Sequence, residues 1–179
     1  MYSNYESQKK EIETIRFRKL EIKLSDADVL RVAQKAGSHG LTIAQLIENF
    51  IVDLVGGTYS NGSDETMYAQ QWFDRCWFSM FPDMTFLRYL IEWGGLEDML
   101  ELWGDLQEVQ RDLSYYEEHP EEPEPEEIRY ILQDCQEQIN EYWNDYIQLK
   151  TENKKGSFDE EMKKVLEWQE EYKRLIGEL

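Results

Sequence analysis

Apolar residues recur every three or four positions through the second half of the chain, and this spacing restricts the folds open to it. The longest uninterrupted series consists of Ile128, Leu132, Cys135, Ile139, Tyr142, Tyr146 and Leu149. Two further series with the same spacing run from Met99 to Tyr116 and from Phe158 to Leu179. Because such spacing places apolar side chains on one face of an α-helix, it predicts three amphipathic helices that pack as an antiparallel hairpin or bundle.

Helix-breaking residues are scarce, which also favours a mainly α fold. The 179 residues include 4 prolines and 10 glycines, and sparse punctuation of this kind suits long helices. Aromatic residues make up 13% of the chain, enough ring surface to form a folded core in spite of the net charge. Cys76 and Cys135 lie far apart and form no metal-binding or redox motif, so we expect two reduced thiols.

The negative charge lies almost entirely in the last two thirds of the chain. Residues 1–50 hold 8 basic and 7 acidic side chains, whereas the remaining 129 residues hold 11 basic and 31 acidic ones. A field of this sign repels the phosphates of nucleic acids and attracts basic protein surfaces. The C-terminal part is therefore expected to bind basic partners.

The first third of the chain has a different pattern, in which a strand precedes two capped helices. Apolar and charged residues alternate over residues 15–25, which predicts a strand. Ser25 and Thr42 occupy the N-cap positions of two apolar helices, and Gly37 and Gly56 follow those helices as stop signals. This order is strand, helix, glycine-containing turn, helix.

The stretch R-K-L-E-I-K-L-S-D-A-D, followed by G-L-T-I-A-Q-L-I-E-N-F-I, resembles the ribbon-helix-helix family of Arc-type and MetJ-type repressors over residues 16–57. The resemblance implies a homodimer in which two strands pair antiparallel and enter a DNA major groove. The implied dimer core consists of Leu20, Ile22, Leu24, Leu46 and Phe50. The implied nucleic-acid-binding residues are Arg16, Arg18, Lys19, Glu21, Lys23 and Thr42. Glu21 departs from a basic DNA-contacting face, so a strand and helices that serve only in dimerisation or as an edge of the core stay an alternative.

The predicted fold is therefore mainly α, with a ribbon-helix-helix-like unit followed by an acidic helical bundle that contains a coiled-coil-like hairpin. The segments are a flexible N-terminal arm (1–14), the dimerisation module (15–57), a linker (58–66), an aromatic-rich helical region (67–116), an acidic Pro/Glu loop (117–127) and a helical hairpin (128–179). Rings occur on several sides of segment 68–81, which fits either a core or a contact surface.

No motif for catalysis or for cofactor binding is present. His39 and His119 have no recognisable partner in the sequence, and the zinc-protease, phosphate-loop and nucleophile-elbow motifs do not occur. We therefore expect a protein that is not an enzyme and that uses neither cofactor nor metal. The chain has no apolar run of about 20 residues and no secretion signal, so we expect a cytoplasmic protein that does not enter a membrane.

The acidic profile is similar to that of phage and mobile-element anti-CRISPR proteins. This similarity implies an inhibitor, acting as a dimer, that covers the basic nucleic-acid-binding surface of a nucleic-acid-guided nuclease. The expected acidic contact surface comprises Glu97, Asp98, Glu101, Asp105, Glu108, Glu117, Glu118, Glu121, Glu122, Glu124, Glu126 and Glu127. The alternatives are a ribbon-helix-helix transcriptional regulator that binds its own promoter, and an adaptor whose helices pair with another coiled coil.

Overall fold

The computed structural model of the protein describes residues 2–123, 125–149 and 156–178. Within these ranges all regular secondary structure is helical, which confirms the predicted mainly α fold. The helices are α1 (Tyr2–Glu13), α2 (Asp26–Gly37), α3 (Ile43–Val55), α4 (Ser63–Arg75), α5 (Trp77–Met80), α6 (Phe86–Trp93), α7 (Leu96–Glu118), α8 (Glu126–Leu149) and α9 (Phe158–Ile176). The chain divides into two compact units, Met1–Asp83 and Met84–Leu179.

Residues 15–25 of the N-terminal unit form neither helix nor strand in this single chain. Hydrogen bonds to a neighbouring strand define a β-strand, and in the ribbon-helix-helix family that neighbour belongs to a second copy of the chain. The predicted strand pairing therefore stays a prediction. The preceding segment, predicted as a flexible arm over 1–14, is helical over α1.

The predicted caps of α2 and α3 are present. The Ser25 hydroxyl accepts the N–H of Asp28 at 3.1 Å, and Thr42 and Gln45 form a reciprocal capping box at the start of α3. Helix α3 ends at Gly56 in the left-handed conformation with φ 62°, which costs glycine little because it has no Cβ. Short-range chemistry thus fixes both ends of α3.

The C-terminal unit, by contrast, surrounds a continuous apolar core. Helix α6 packs against α7, α8 and α9, and α7 and α8 pair along their length. The fully buried large side chains are Phe86, Leu90, Met99, Tyr146, Met162 and Val165. In the described residues α8 packs chiefly on α7, and α9 packs chiefly on α6. The helical hairpin therefore spans residues 96–149 and not the predicted 128–179. Leu179, the last residue of the third apolar series, lies outside the described residues.

The start of α7 lies directly against the ring of Tyr142 in α8. A Cβ added at Gly95 would be 2.5 Å from Cε1 of this ring, so only glycine fits here without a shift of Tyr142. The Tyr142 hydroxyl donates to the carboxylate of Asp98 at 3.2 Å. Since Asp98 is in the first turn of α7 and Tyr142 is in the second half of α8, the two helices run antiparallel.

A buried carboxylate joins α9 to α6. Glu161 is only 3% exposed, and its Oε2 accepts the backbone N–H of Phe86 at 2.9 Å. Lys164 donates to Oε1 of the same side chain at 2.6 Å. These two bonds offset the cost of burying the charge, and the carboxylate also faces the positive end of the α6 dipole. Glu161 therefore fixes the position of α9 on α6.

Candidate interaction surfaces

The N-terminal unit exposes most of its large apolar side chains. Among the described residues of this unit, the buried side chains are those of Ala36 and Ala69. Exposed apolar residues include Phe17, Leu20, Ile22, Leu24, Val29, Leu30, Phe50 and Ile51. The described residues of this unit therefore form little buried apolar core.

The predicted dimer-core residues lie on this exposed face. Leu20, Ile22 and Leu24 are all exposed, as is Phe50, and Leu46 is half-buried. Ile22 and Leu24 line an open groove of about 520 Å³ together with Val32, Ile47, Asp28, Arg31 and Lys35. We call Leu20, Ile22, Leu24 and the apolar residues of this groove the leucine face.

One edge of the groove carries an ion pair, between Arg31 and Asp28. The Ser25 hydroxyl and then the Arg31 guanidinium hold the pKa of Asp28 below its usual value, because both donate hydrogen bonds to the ionised carboxylate. Apolar side chains therefore line most of the groove, and the charges of Asp28 and Arg31 at its edge are paired with each other.

A second exposed apolar surface covers α4 and α5, and we call its residues Tyr68, Trp72, Trp77, Phe78 and Phe81 the aromatic patch. Trp77 is 75% exposed, and the other four rings are between 43% and 63% exposed. Edge-to-face packing joins Trp72 to Phe50 of α3, with ring centroids 5.1 Å apart. The five rings of the aromatic patch are thus exposed in the single chain, although Ala69 of the same segment is buried.

The predicted nucleic-acid-binding residues lie on the N-terminal unit and are exposed. Arg16, Arg18, Lys19 and Lys23 all belong to the segment between α1 and α2. Lys19 lies 3.9 Å from the carboxylate of Glu21, so the acidic departure in the pattern offsets part of the local positive charge. The Thr42 hydroxyl accepts the N–H of Gln45 at 3.1 Å and serves the helix cap.

The acidic hairpin, defined as residues 96–149, carries the main charged surface of the C-terminal unit. It holds 17 acidic side chains and two basic ones, Arg111 and Arg129. Every predicted acidic contact residue in the described part of the hairpin is exposed, and Glu124 lies outside that part. The predicted carboxylates therefore share one element, which consists of α7, the connecting loop and the start of α8.

The predicted acidic contact residues do not include those farther along α8. Asp134, Glu137, Glu141 and Asp145 are all exposed. Their spacing of three and four residues places them opposite the buried Cys135, Ile139 and Tyr146. The same periodicity that predicted the core of α8 also indicates these outward-facing acids.

Contacts between side chains organise the tip of the acidic hairpin. Tyr115 stacks on His119 with ring centroids 4.2 Å apart, and its hydroxyl donates to Glu122 at 3.2 Å. The ring nitrogen Nδ1 of His119 lies 2.9 Å from the carbonyl of Tyr115. These contacts tie the residues after α7 back to its last turn.

The described ranges contain no group of three or more His, Cys, Asp or Glu side chains arranged to hold a metal ion. The two cysteines are free thiols, and burial raises the pKa of Cys135. None of the described helices is both long and apolar enough to cross a membrane. Comparisons of the chain with protein-family models, curated protein sequences and solved structures gave no match.

Proposed function

We propose that the protein is a non-catalytic inhibitor whose acidic hairpin covers the basic nucleic-acid-binding surface of a nucleic-acid-handling enzyme, such as a nucleic-acid-guided nuclease. The observation that carries this proposal is the acidity of the hairpin, which has 17 acidic side chains against two arginines and whose acidic residues are all exposed within the described ranges. In the proposal the chain acts as a dimer, paired through the N-terminal unit.

The charge density of the acidic hairpin is comparable with that of duplex DNA. Helix α8 has 24 residues, which corresponds to a length of about 36 Å at about 1.5 Å per residue. The net charge of −15 on residues 96–149 therefore gives roughly one charge per 2.4 Å, against about 1.7 Å for the phosphates of B-DNA. A basic groove that accepts a duplex would attract this element for the same electrostatic reason.

The packing of the C-terminal unit supports a preorganised binding element. The antiparallel pair is held at its open end by the contact between Tyr142 and Asp98 and by the core around Tyr146. A rigid element loses little conformational entropy on binding. The carboxylates would therefore meet a target without a folding step.

Charge-neutral variants of the acidic hairpin test this proposal. Glu97, Glu101, Asp105 and Glu108 of α7 are changed together to Gln or Asn, and inhibition of DNA cleavage by a panel of guided nucleases is measured at several salt concentrations. We expect a loss of inhibition of about tenfold or more, because each exposed charge adds to long-range attraction, and we expect wild-type inhibition to weaken steeply with salt.

The matched control removes the same number of charges from α9. Asp159, Glu167, Glu170 and Glu171 are also exposed, and their neutral variant is expected to retain inhibition. Equal inhibition by the α7 variant and the wild type would reject the electrostatic mechanism. Equal losses in both variants would show that total charge, not the acidic hairpin, determines binding.

A second candidate function is a DNA-binding regulator, in which residues 15–57 form a ribbon-helix-helix-like dimer. Four exposed basic side chains beside the alternating Leu20, Ile22 and Leu24 favour this candidate. Gel shifts with the DNA upstream of the gene test it, and Lys19→Ala with Lys23→Ala is expected to abolish binding. A dimer without salt-sensitive DNA binding at low salt would exclude this function.

A further inference from the structure

We propose that the aromatic patch packs against a second copy of the chain, and that it forms one continuous twofold interface with the leucine face. The proposal rests on the dimer that is part of the proposed function, and it extends the interface beyond the residues of the ribbon-helix-helix resemblance. Three observations support it: the exposed area, the continuity of the apolar residues and the local charge.

The exposed area of the aromatic patch fits part of a stable interface. Its five rings are between 43% and 75% exposed, which amounts to roughly 600 Å² if a fully exposed aromatic side chain presents about 200 Å². A stable protein interface buries about 800 Å² on each partner. The aromatic patch alone is slightly too small, so it needs the adjoining leucine face to complete an interface of ordinary size.

Apolar contacts connect the two surfaces within the N-terminal unit. Ile47 of α3 lines the groove with Ile22 and Leu24. Phe50, one helical turn after Ile47, packs edge-to-face on Trp72, and Trp72 in turn contacts Phe78 with ring centroids 6.3 Å apart. One surface therefore runs from the segment before α2, across α3, to α4 and α5.

Local charge favours a second copy of this chain as the occupant. Residues 1–83 hold 9 basic and 12 acidic side chains, whereas residues 84–179 hold 10 basic and 26 acidic ones. Most of the net negative charge therefore belongs to the C-terminal unit. Segment 67–82 contains one acid and one base, Asp74 and Arg75. Like surfaces can thus meet here without like-charge repulsion, as an isologous twofold interface requires.

Two rings of the aromatic patch have the properties of interface anchors. Trp77 and Phe81 contact each other with centroids 4.4 Å apart, so each limits the freedom of the other before association. Large aromatic side chains at the centre of an interface contribute most of its binding energy. We therefore assign Trp77 and Phe81 as the anchors of this part of the interface.

Sedimentation equilibrium of the full chain tests the proposal through the double variant Trp77→Ser, Phe81→Ser. Both side chains are more than half exposed, so their loss leaves the fold of each copy intact, which far-UV circular dichroism checks. We expect a wild-type dimer and a dissociation constant raised by about 100-fold or more in the variant. The control, Tyr130→Ser with Ile131→Ser, removes exposed apolar side chains from α8 and is expected to leave the dimer unchanged.

A second variant, Leu20→Ser with Leu24→Ser, separates this proposal from the proposed dimer itself. Weakened dimers in both variants support one continuous interface. If the leucine variant is monomeric while the aromatic variant still dimerises like the wild type, the proposal is overturned. The hypothesis of a ribbon-helix-helix-like dimer is then still supported. A monomeric wild type overturns both. An unchanged dimer that loses nuclease inhibition also overturns the proposal, because the aromatic patch would then bind the target.

Discussion

The two units of the chain place their aromatic and apolar side chains in opposite ways. In the C-terminal unit Phe86, Tyr89, Tyr146 and Trp143 pack on one another, and the unit holds 26 acidic side chains against 10 basic ones. In the N-terminal unit rings of the same kind lie at the surface, and the buried side chains among its described residues are those of two alanines. Both units are helical, so the difference lies in where apolar surface goes and not in secondary structure.

This contrast suggests a division of roles between the two units. A unit with a complete core can carry many exposed charges of one sign, because its stability does not depend on binding to a partner. A unit with an incomplete core gains stability by association, since removing apolar surface from water is the main favourable term in both folding and binding. We infer that the first unit assembles the protein and that the second unit presents its binding surface.

The largest expected effect comes from truncating equivalent rings in the two units. Phe86 is fully buried, and Phe86→Ala should lower the free energy of unfolding by about 3–5 kcal/mol. Phe81 is 57% exposed, so Phe81→Ala should cost less than about 1 kcal/mol under conditions where the chain is monomeric. Urea unfolding followed by circular dichroism measures both. Equal costs for the two variants would contradict the contrast between the units.

Loss of the buried carboxylate is the next effect in size. Glu161→Ala removes the acceptor of the Phe86 N–H and the partner of Lys164, and we expect a cost of about 1.5–3 kcal/mol because a charged hydrogen bond is lost inside the unit. The exposed residue Glu167, whose ion pair with Lys163 is 3.7 Å long, provides the control, and Glu167→Ala should change stability by less than about 0.5 kcal/mol. A small effect of Glu161→Ala would show that α9 is held by its apolar residues alone.

Periodicity and cap chemistry predicted the elements of the C-terminal unit better than their pairing. The three apolar series correspond to α7, α8 and α9, because a spacing of three and four residues is a local property of a helix. Each series presents a similar apolar face, so the pairing of α8 with α7 depends on particular contacts such as the close approach of Gly95 to Tyr142. No feature of the sequence distinguishes Glu161 from the other acidic residues, of which the chain has 38 in all. Its burial could not be predicted because it depends on the position of α6.

In the N-terminal unit the sequence predicted α2 and α3, but it predicted neither the helix α1 nor the exposure of the aromatic rings. Ser25 and Thr42 cap α2 and α3 as expected, since these interactions are local. Whether the rings of segment 68–81 are buried depends on how many apolar side chains of the folded unit pack against them. The number of such contacts depends on the tertiary structure, so the sequence alone left both core and surface possible.

Gly95, which precedes α7, and Gly104, which lies within α7, give opposite predictions from the same substitution. Gly95→Ala places a methyl group against the Tyr142 ring, and we expect a loss of about 1–3 kcal/mol from the forced shift. Gly104 lies inside α7 with open space around it, so Gly104→Ala should add about 0.5–1 kcal/mol through helix propensity. Thermal unfolding of both variants measures the pair. Two destabilised variants would mean that α7 meets a partner at Gly104, while two stabilised variants would contradict the close approach at Gly95.

The smallest expected effect is a loss of stability of the C-terminal unit at alkaline pH. Burial raises the pKa of Tyr89 and, together with the hydrogen bond to Asp98, the pKa of Tyr142 above the usual 10.0. A raised pKa in the folded state means that the folded chain holds its proton longer than the unfolded chain. The stabilisation is therefore complete below about pH 10 and is lost as the pH rises towards the folded-state pKa. We expect Tyr142→Phe to reduce this loss in urea unfolding between about pH 9 and about pH 11. Tyr130→Phe, at an exposed position of α8, should leave the alkaline loss of stability unchanged. An equal reduction of this loss by both variants would show that burial of Tyr142 does not cause it.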